Sequence, residues 1–551
     1  MPARHLVIGL DGADVDVIDG LGREQLPAIF ALRERGAWAR LVSVQPPATL
    51  PNWTTFLTGV DPGQHGVFDF TTRDGYRVEF TAGTVREAPT IAARLDAQGA
   101  RCACVGFPAT WPPEPLARGA FMSGWDSPVA FEADASFVHP PSLHDEIAAR
   151  FGPVRFDDVD ELDAESPGWH ARLPGKLADR VERKTELARW LLGRQDWDLF
   201  AFYFGESDTA SHHLWALHDP ASPRHRRGHP DALAMVYRAL DRAVAQLVAE
   251  AGDDVEVTLV SDHGSGGSGT TVLYLNRLLA EAGFLAFGSS ARGRAVAKAK
   301  DLALTTLGPR SRQAVFTLAG RLLPGLVESQ ARFGGIDWSR TRAFSDELNY
   351  FPAIHFNLRG REPAGVVDPA EAADLRAELE ALLYALRDPF TGERVVRTVW
   401  SRDELFEGPH VDRAPDLLLD LHLDRGYSYN LMPTGGAPPG TGPWRRLAPE
   451  EHLGRKGRSL PGSHRPRGLY VAAGPSVRPV GEIQARMADA TATLLARMGV
   501  APAPEMSGRV LREAVRRRGA APLPDADVIE ASEAGDRAQL ERRLRALGYV
   551  D

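Results

Sequence analysis

Three apolar runs in this sequence end on residues that carry a charge or a ring nitrogen. Leu6 to Leu10 is followed by Asp11-Gly12, Leu199 to Phe204 by Gly205-Glu206-Ser207-Asp208, and Val255 to Val260 by Ser261-Asp262-His263-Gly264. A single Asp after a strand is more often a turn former or helix cap than a ligand. Three such ends in one open α/β sheet are different, because ligands gather at the carboxyl ends of its strands. If the segment after the second run is helical, Asp208 and His212 stand four apart on one face and can close on one ion. Asp262 and His263 are adjacent at a strand-to-loop transition, beside Gly264, where backbone can approach closely. Carboxylate oxygen with imidazole nitrogen is the ligand set expected of zinc, or of manganese where oxygen predominates. An isolated histidine is more often a satisfied core or surface residue, so the clustering carries the weight.

A second segment, Pro46 to Gly59, reads as a helix start: Thr49 can cap, Pro51 suits the first turn, and Asn52 to Leu57 continues inward. A helix N-terminus offers free amides and the positive end of a dipole, which suits a phosphoryl group. A hydroxyl there becomes a nucleophile if a metal lowers its pKa. An ordinary capping threonine would look the same.

These side chains need a scaffold. Leu6 to Leu10, Cys102 to Phe107, Leu199 to Phe204, Val255 to Val260, Leu417 to Leu421 and Leu469 to Ala472 are short apolar runs without polar alternation, as in strands covered on both faces. Helical periodicity lies between them, in Leu177 to Leu192 and in Asp231 to Glu250, the latter placing Leu233, Val236, Leu240, Val244 and Leu247 on one side. The expected fold is α/β, with a mostly parallel central sheet flanked by helices.

With 551 residues, the chain exceeds what one core usually fills, so an insertion or second lobe is expected. The stretch from about Gly288 to Phe333 carries eight Lys or Arg against Asp301 and Glu328, in apolar helical patterns. It reads as an inserted helical cap, either a solvated helix pair or a basic lid over an anionic substrate or membrane surface. The expected division is a catalytic core over 1–285, an inserted cap region over 286–400 that is mixed αβ from Asp337 to about Val399, the rest of the core over 401–515, and a charged helical tail over 516–551. Lys plus Arg number 64 against 73 Asp plus Glu, a net charge of −9, which disfavours a nucleic-acid platform. The two cysteines, Cys102 and Cys104, are too close in sequence to bridge along a strand, so no disulfide framework exists. The first apolar run is too short for a signal peptide and no stretch is long enough to span a membrane, so the expected location is cytoplasmic.

Taken in order, the motifs Gly-Leu-Asp11-Gly, Thr49-Leu-Pro-Asn52, Thr58 to Gly66, Asp208-Thr-Ala-Ser-His212, Ser-Asp262-His263-Gly and Gly462-Ser-His464-Arg-Pro-Arg-Gly468 resemble the alkaline phosphatase superfamily, in its type I phosphodiesterase/nucleotide pyrophosphatase branch. Each is short, but six in the family's order make a specific signal over Leu6 to about Pro475. The resemblance implies an alkaline-phosphatase-like core and two divalent metal ions, for which Zn²⁺ fits best and Mn²⁺ is compatible. One ion would be held by Asp11, Thr49, Asp262 and His263, the other by Asp208, His212 and His464. Thr49 would be the nucleophile, forming a phosphothreonine that water hydrolyses, and Asn52 would donate its amide to a phosphoryl oxygen. The implied activity is cleavage of a small phosphodiester or nucleotide pyrophosphate. A phosphomutase, a phosphomonoesterase and a catalytically silent metal-binding protein are the rivals. Thr49 and Trp53 stand where sulfatases need Cys or Ser and Arg, which disfavours that branch. His65 reads as structural, and Trp53, Phe107, Trp111 and Trp125 as core residues or as stacking surfaces for an aryl or base group.

Overall fold

Burial of every residue from His5 to Leu10 makes β1 the axis of the molecule. In the computed structural model, residues 4–124, 133–153, 166–288, 332–333, 335–347, 351–437, 440–454 and 459–516 are described. With β1 (His5–Leu10), a nine-stranded sheet contains β2 (Gly36–Val42), β5 (Cys102–Val105), β6 (Ala120–Met122), β7 (Val138–His139), β8 (Leu199–Phe204), β9 (Glu256–Val260), β18 (Arg467–Ala473) and β19 (Gly481–Glu482). Its order is β19-β2-β18-β9-β1-β8-β5-β6-β7. The five central strands, β9 to β6, run parallel. Apolar runs lacking alternation have become strands buried on both faces, as that pattern requires. The Leu469 to Ala472 run is buried in the same way but is not parallel, since β18 lies antiparallel to both β9 and β2.

Helices cover the sheet. Ala232–Ala251 buries Leu233, Val236, Leu240, Val244 and Leu247, the stripe its periodicity marks out, and packs against Trp169–Leu192. The parallel direction of β1, β8 and β9 brings their carboxyl ends to one rim, where Asp11, Gly205 and Ser261 leave the sheet.

The chain then turns away through β10 (Gly264–Leu273) into a second hydrophobic core. That core lies under a sheet of β11 (Ala343–Phe344), β12 (Ala353–Phe356), β14 (Leu417–Leu421) and β13 (Val396–Ser401), in spatial order, with the helices Leu275–Glu281 and Ala372–Ala385 against it. One expectation is corrected. Leu417–Leu421 is no strand of the parallel sheet: it pairs antiparallel with β12 and β13. The expected boundary at residue 400 falls at the end of β13 (Val396–Ser401), whose partner β14 belongs to the same sheet, so the described lobe continues past it as a layer of sheet and helix. A hairpin of β3 (Thr71–Asp74) and β4 (Arg77–Phe80) adds Val78 to the same core. Most of the basic stretch, the charged tail and Trp125 lie outside the described residues.

The return to the large sheet is made by β17 (Gly462–Arg465), antiparallel to β10 with Ser265 opposite His464. Farther along β10, β15 (Ser428–Leu431) and β16 (Trp444–Arg446) flank it on opposite edges. Among the described residues no helix is long and apolar enough to cross a membrane.

Candidate metal centre and nucleophile

Asp208 and His212 do lie on one helix, Glu206–His218, one turn apart, with Asp208 Oδ1 3.2 Å from His212 Nε2. The β17 strand lowers His464 onto them: its Nε2 is 2.9 Å from His212 Nε2 and 3.5 Å from Asp208 Oδ1. Gly462 permits that approach, because a Cβ there would stand 2.1 Å from the Ser211 carbonyl oxygen. Beside this group, Asp11, Asp262 and His263 form a second one, with His263 Nε2 3.5 Å from Asp11 Oδ1 and 3.2 Å from Asp262 Oδ2. His263 stacks on His464 with ring centroids 3.6 Å apart, so the two groups are neighbours. As expected, Asp262 and His263 stand where a strand gives way to irregular backbone, a connection of three residues between β9 and β10, which begins at Gly264.

The donor chemistry fits divalent cations. All three imidazoles lie with Nδ1 at a backbone carbonyl: His212 at Gly462 O (3.1 Å), His263 at Gly264 O (3.0 Å) and His464 at Pro47 O (2.9 Å). A carbonyl only accepts, so each Nδ1 carries the proton and each Nε2 presents a lone pair. Two lone pairs facing each other at 2.9 Å, with a carboxylate oxygen alongside, form a donor set that suits a divalent cation. Burial pushes His263 down to about 4 and His464 well below the usual imidazole range, which keeps both neutral and able to ligate. Asp262 is pushed well above the usual carboxylate range by burial and by the adjacent Asp11, so this group lacks positive charge that a metal would supply. Asp262 Oδ2 and Asp208 Oδ1 are buried and accept no hydrogen bond from the described residues.

Thr49 stands beside the Asp11 group, its Oγ1 3.3 Å from His263 Nε2. It is the first residue of the helix Thr49–Thr58 rather than its cap, a position taken by Ala48. Its hydroxyl is therefore not used up on capping, and it sits at the positive end of the helix dipole.

Asn52 is corrected. Its Oδ1 accepts from the Val44 amide at 2.7 Å, and its Nδ2 donates to the carbonyls of Ala48 (2.9 Å) and Pro46 (3.2 Å). Fully buried, it ties down the 44–48 segment that leads to Thr49 and offers no amide to a phosphoryl oxygen. The i to i+3 spacing from Thr49 carried no information about which way the side chain turned. Asn52→Ala should therefore cost about 3 kcal/mol of unfolding free energy, from buried groups left unpaired, measured by denaturant titration. A transition-state donor would instead lose about 10²–10³ in kcat at unchanged stability.

His65 is structural, as expected: Nδ1 accepts from the Val67 amide at 3.1 Å and Nε2 meets Thr55 Oγ1 at 3.0 Å. Burial, then Arg86, pushes it down to about 3. With its pKa lower folded than unfolded, the unfolded chain binds the extra proton, so stability is present above about pH 6.5 and is lost as pH falls toward 3. From pH 6.5 to 5 this amounts to about 2 kcal/mol. The pH slope of unfolding in His65→Gln should be flatter than in the parent by that amount.

Trp53 and Phe107 are fully buried, which removes them as stacking surfaces. Trp53 has another task that the sequence did not reveal: its Nε1 donates to Asp11 Oδ2 at 2.8 Å, and Tyr203 Oη donates to the same oxygen at 2.6 Å. Glu206, two residues before Asp208, turns away from the metal groups into an ion pair with Arg180 (2.8 Å) and Lys184 (2.7 Å). Arg180 and Lys184 are spaced i, i+4 within an otherwise apolar helical stripe, the one sequence signal of that pairing.

An α/β sheet with a hydroxyl at a helix N-terminus, flanked by two carboxylate–imidazole groups, defines a metal-dependent hydrolase of phosphoric esters. The chain belongs to the type I phosphodiesterase/nucleotide pyrophosphatase family, which it matches over residues 5–442. Two solved structures of murine ectonucleotide pyrophosphatase/phosphodiesterase 5, one an inactive form in complex with AMP, are similar to it at 13% sequence identity and a TM-score of 0.49, covering 92% of this chain and 97% of that chain. No curated protein matches the sequence.

Proposed function

We propose that this enzyme cleaves a small phosphodiester or nucleotide pyrophosphate through a covalent phosphothreonine on Thr49, with two divalent ions, Zn²⁺ fitting best. The observation that carries this reading is the position of Thr49 Oγ1, 3.3 Å from His263 Nε2 at a helix N-terminus, beside the Asp11 group whose His263 stacks on His464 of the other. Asp11, Asp262 and His263, with Thr49, would hold one ion, and Asp208, His212 and His464 the other. Bound there, the ions supply Lewis-acid charge for the nucleophile and for the phosphoryl oxygens.

The chain's own residues do the rest. Thr49 Oγ1 attacks phosphorus, the P–O bond to the alcohol or phosphate leaving group breaks, and the threonine proton passes to solvent as the leaving group takes one up. Water then attacks the phosphothreonine, breaks its P–Oγ1 bond and restores the hydroxyl. The free amides of the first helical turn, at Thr49 and Leu50, face developing negative charge.

Hydrolysis of bis-p-nitrophenyl phosphate against p-nitrophenyl phosphate by metal-quantified protein tests the reading. A preference for the diester of about a hundredfold or more supports it. A monoester preference would move a phosphomonoesterase ahead, and transfer to an added alcohol in place of water would favour a phosphotransferase. No turnover with two ions bound would favour a binding protein.

A further inference from the structure

Asp11 is held from behind by two donors on a single oxygen. Tyr203 Oη and Trp53 Nε1 both donate to Oδ2, at 2.6 and 2.8 Å, while Oδ1 lies on the side of His263 and Asp262. The three residues are 1% exposed at Asp11, 2% at Tyr203 and 0% at Trp53, so these bonds are shielded from solvent. Both donors are placed by the framework. Tyr203 sits on β8 opposite Gly9 of β1, and Trp53 stands one turn after Thr49 on the same helix. Gly9 is the residue that admits the indole: a Cβ there would lie 2.8 Å from Trp53 Cη2 and 3.1 Å from Phe107. Tyr203 meets Trp53 edge to face, with centroids 5.5 Å apart at 84°, which fixes both rings.

We propose that Tyr203 and Trp53 are positioning residues that commit Asp11 to a metal through Oδ1 alone, and thereby favour a low-coordinate ion such as Zn²⁺ over Mn²⁺ in that centre. This inference rests on the reading of Asp11, Asp262 and His263 as metal ligands. An oxygen that accepts two buried hydrogen bonds cannot swing onto the ion without breaking at least one of them. The carboxylate is thus limited to one-oxygen ligation, which a tetrahedral zinc site accepts, whereas manganese prefers a larger, oxygen-rich shell. Partners of this kind change metal affinity by about 10–100-fold when removed. Because Trp53 rides on the nucleophile's helix, the same bond also couples the orientation of Asp11 to the position of Thr49.

The test compares the full-length parent with Tyr203→Phe and Trp53→Phe. Metal-stripped protein is titrated with Zn²⁺ against a chromogenic chelator. It is then equilibrated with Zn²⁺ and Mn²⁺ together, with bound metal counted by mass spectrometry and bound Mn²⁺ by electron paramagnetic resonance. The expected result is two Zn²⁺ per parent chain, an about 10–100-fold loss of affinity at one of the two in Tyr203→Phe, and a shift of that equivalent toward Mn²⁺. A purely structural tyrosine would lower the melting temperature of metal-free protein and leave the Zn²⁺ to Mn²⁺ ratio unchanged. If Tyr203→Phe fails to fold, Trp53→Phe decides by the same ratio. Two ions in the parent with unchanged affinity and ratio in the variants would overturn the positioning role alone. A parent that binds fewer than two ions would overturn the reading of the centre itself.

Discussion

Thr49→Ala should abolish turnover, with a fall of about 10³-fold or more in kcat on a diester substrate, while metal content stays near that of the parent. The first half follows from chemistry: Thr49 Oγ1 is a hydroxyl at a helix N-terminus in contact with His263 of the Asp11 cluster, and alanine offers nothing to phosphorylate. The second half follows from geometry, since Asp11, Asp262 and His263 remain to hold the neighbouring ion and the other cluster is untouched. Acid quench of the parent during turnover should trap a phosphoryl group on the peptide containing Thr49, and Thr49→Ser should retain part of the activity with the adduct moved to serine. Metal-loaded Thr49→Ala that still turns over at the parent's rate would rule out the covalent route.

His464→Ala should remove one metal equivalent and leave the other. His464 supplies the third ligand atom to Asp208 and His212 and shares the ring stack with His263, yet it lies outside the Asp11 group. With two ligands left, the ion should be lost at low micromolar free Zn²⁺, and activity should fall by about 10³-fold for want of the second charge. Counting bound metal in the dialysed variant settles the matter: two retained equivalents would mean that these three residues hold no ion. The prediction has particular weight because residue 464 lies beyond the segment matched to the family, residues 5–442.

Much of the rim was legible from residue type alone. Asp11, Asp208 and Asp262 each follow an apolar run without alternation, and parallel pairing of those runs forces their ends together whatever the details of packing. The i, i+4 pair Asp208–His212 was legible because helical spacing is local. Direction was not legible. Asn52 turns its amide to backbone carbonyls and Trp53 turns inward to a carboxylate, and these choices depend on partners 4 to 42 residues away. The extent of the second lobe was hidden for a related reason: β14 has the composition of a core strand, and only its pairing with β12 shows which sheet it joins.

The β10–β17 pair separates two kinds of evolutionary freedom. His263 immediately precedes one strand and His464 lies on the other, and their register is fixed at Ser265 opposite His464 by main-chain bonds. The sheet of β11 to β14 is an excursion of the chain between β10 and β15, which pairs with β10 again. Lengthening or shortening such an excursion changes closure entropy slowly, by about 0.6 kcal/mol per doubling, and leaves the spacing of the ligand histidines to the ladder. Lineages can therefore exchange the outer lobe, and with it the shape presented to a substrate, while inheriting the reactive centre unaltered.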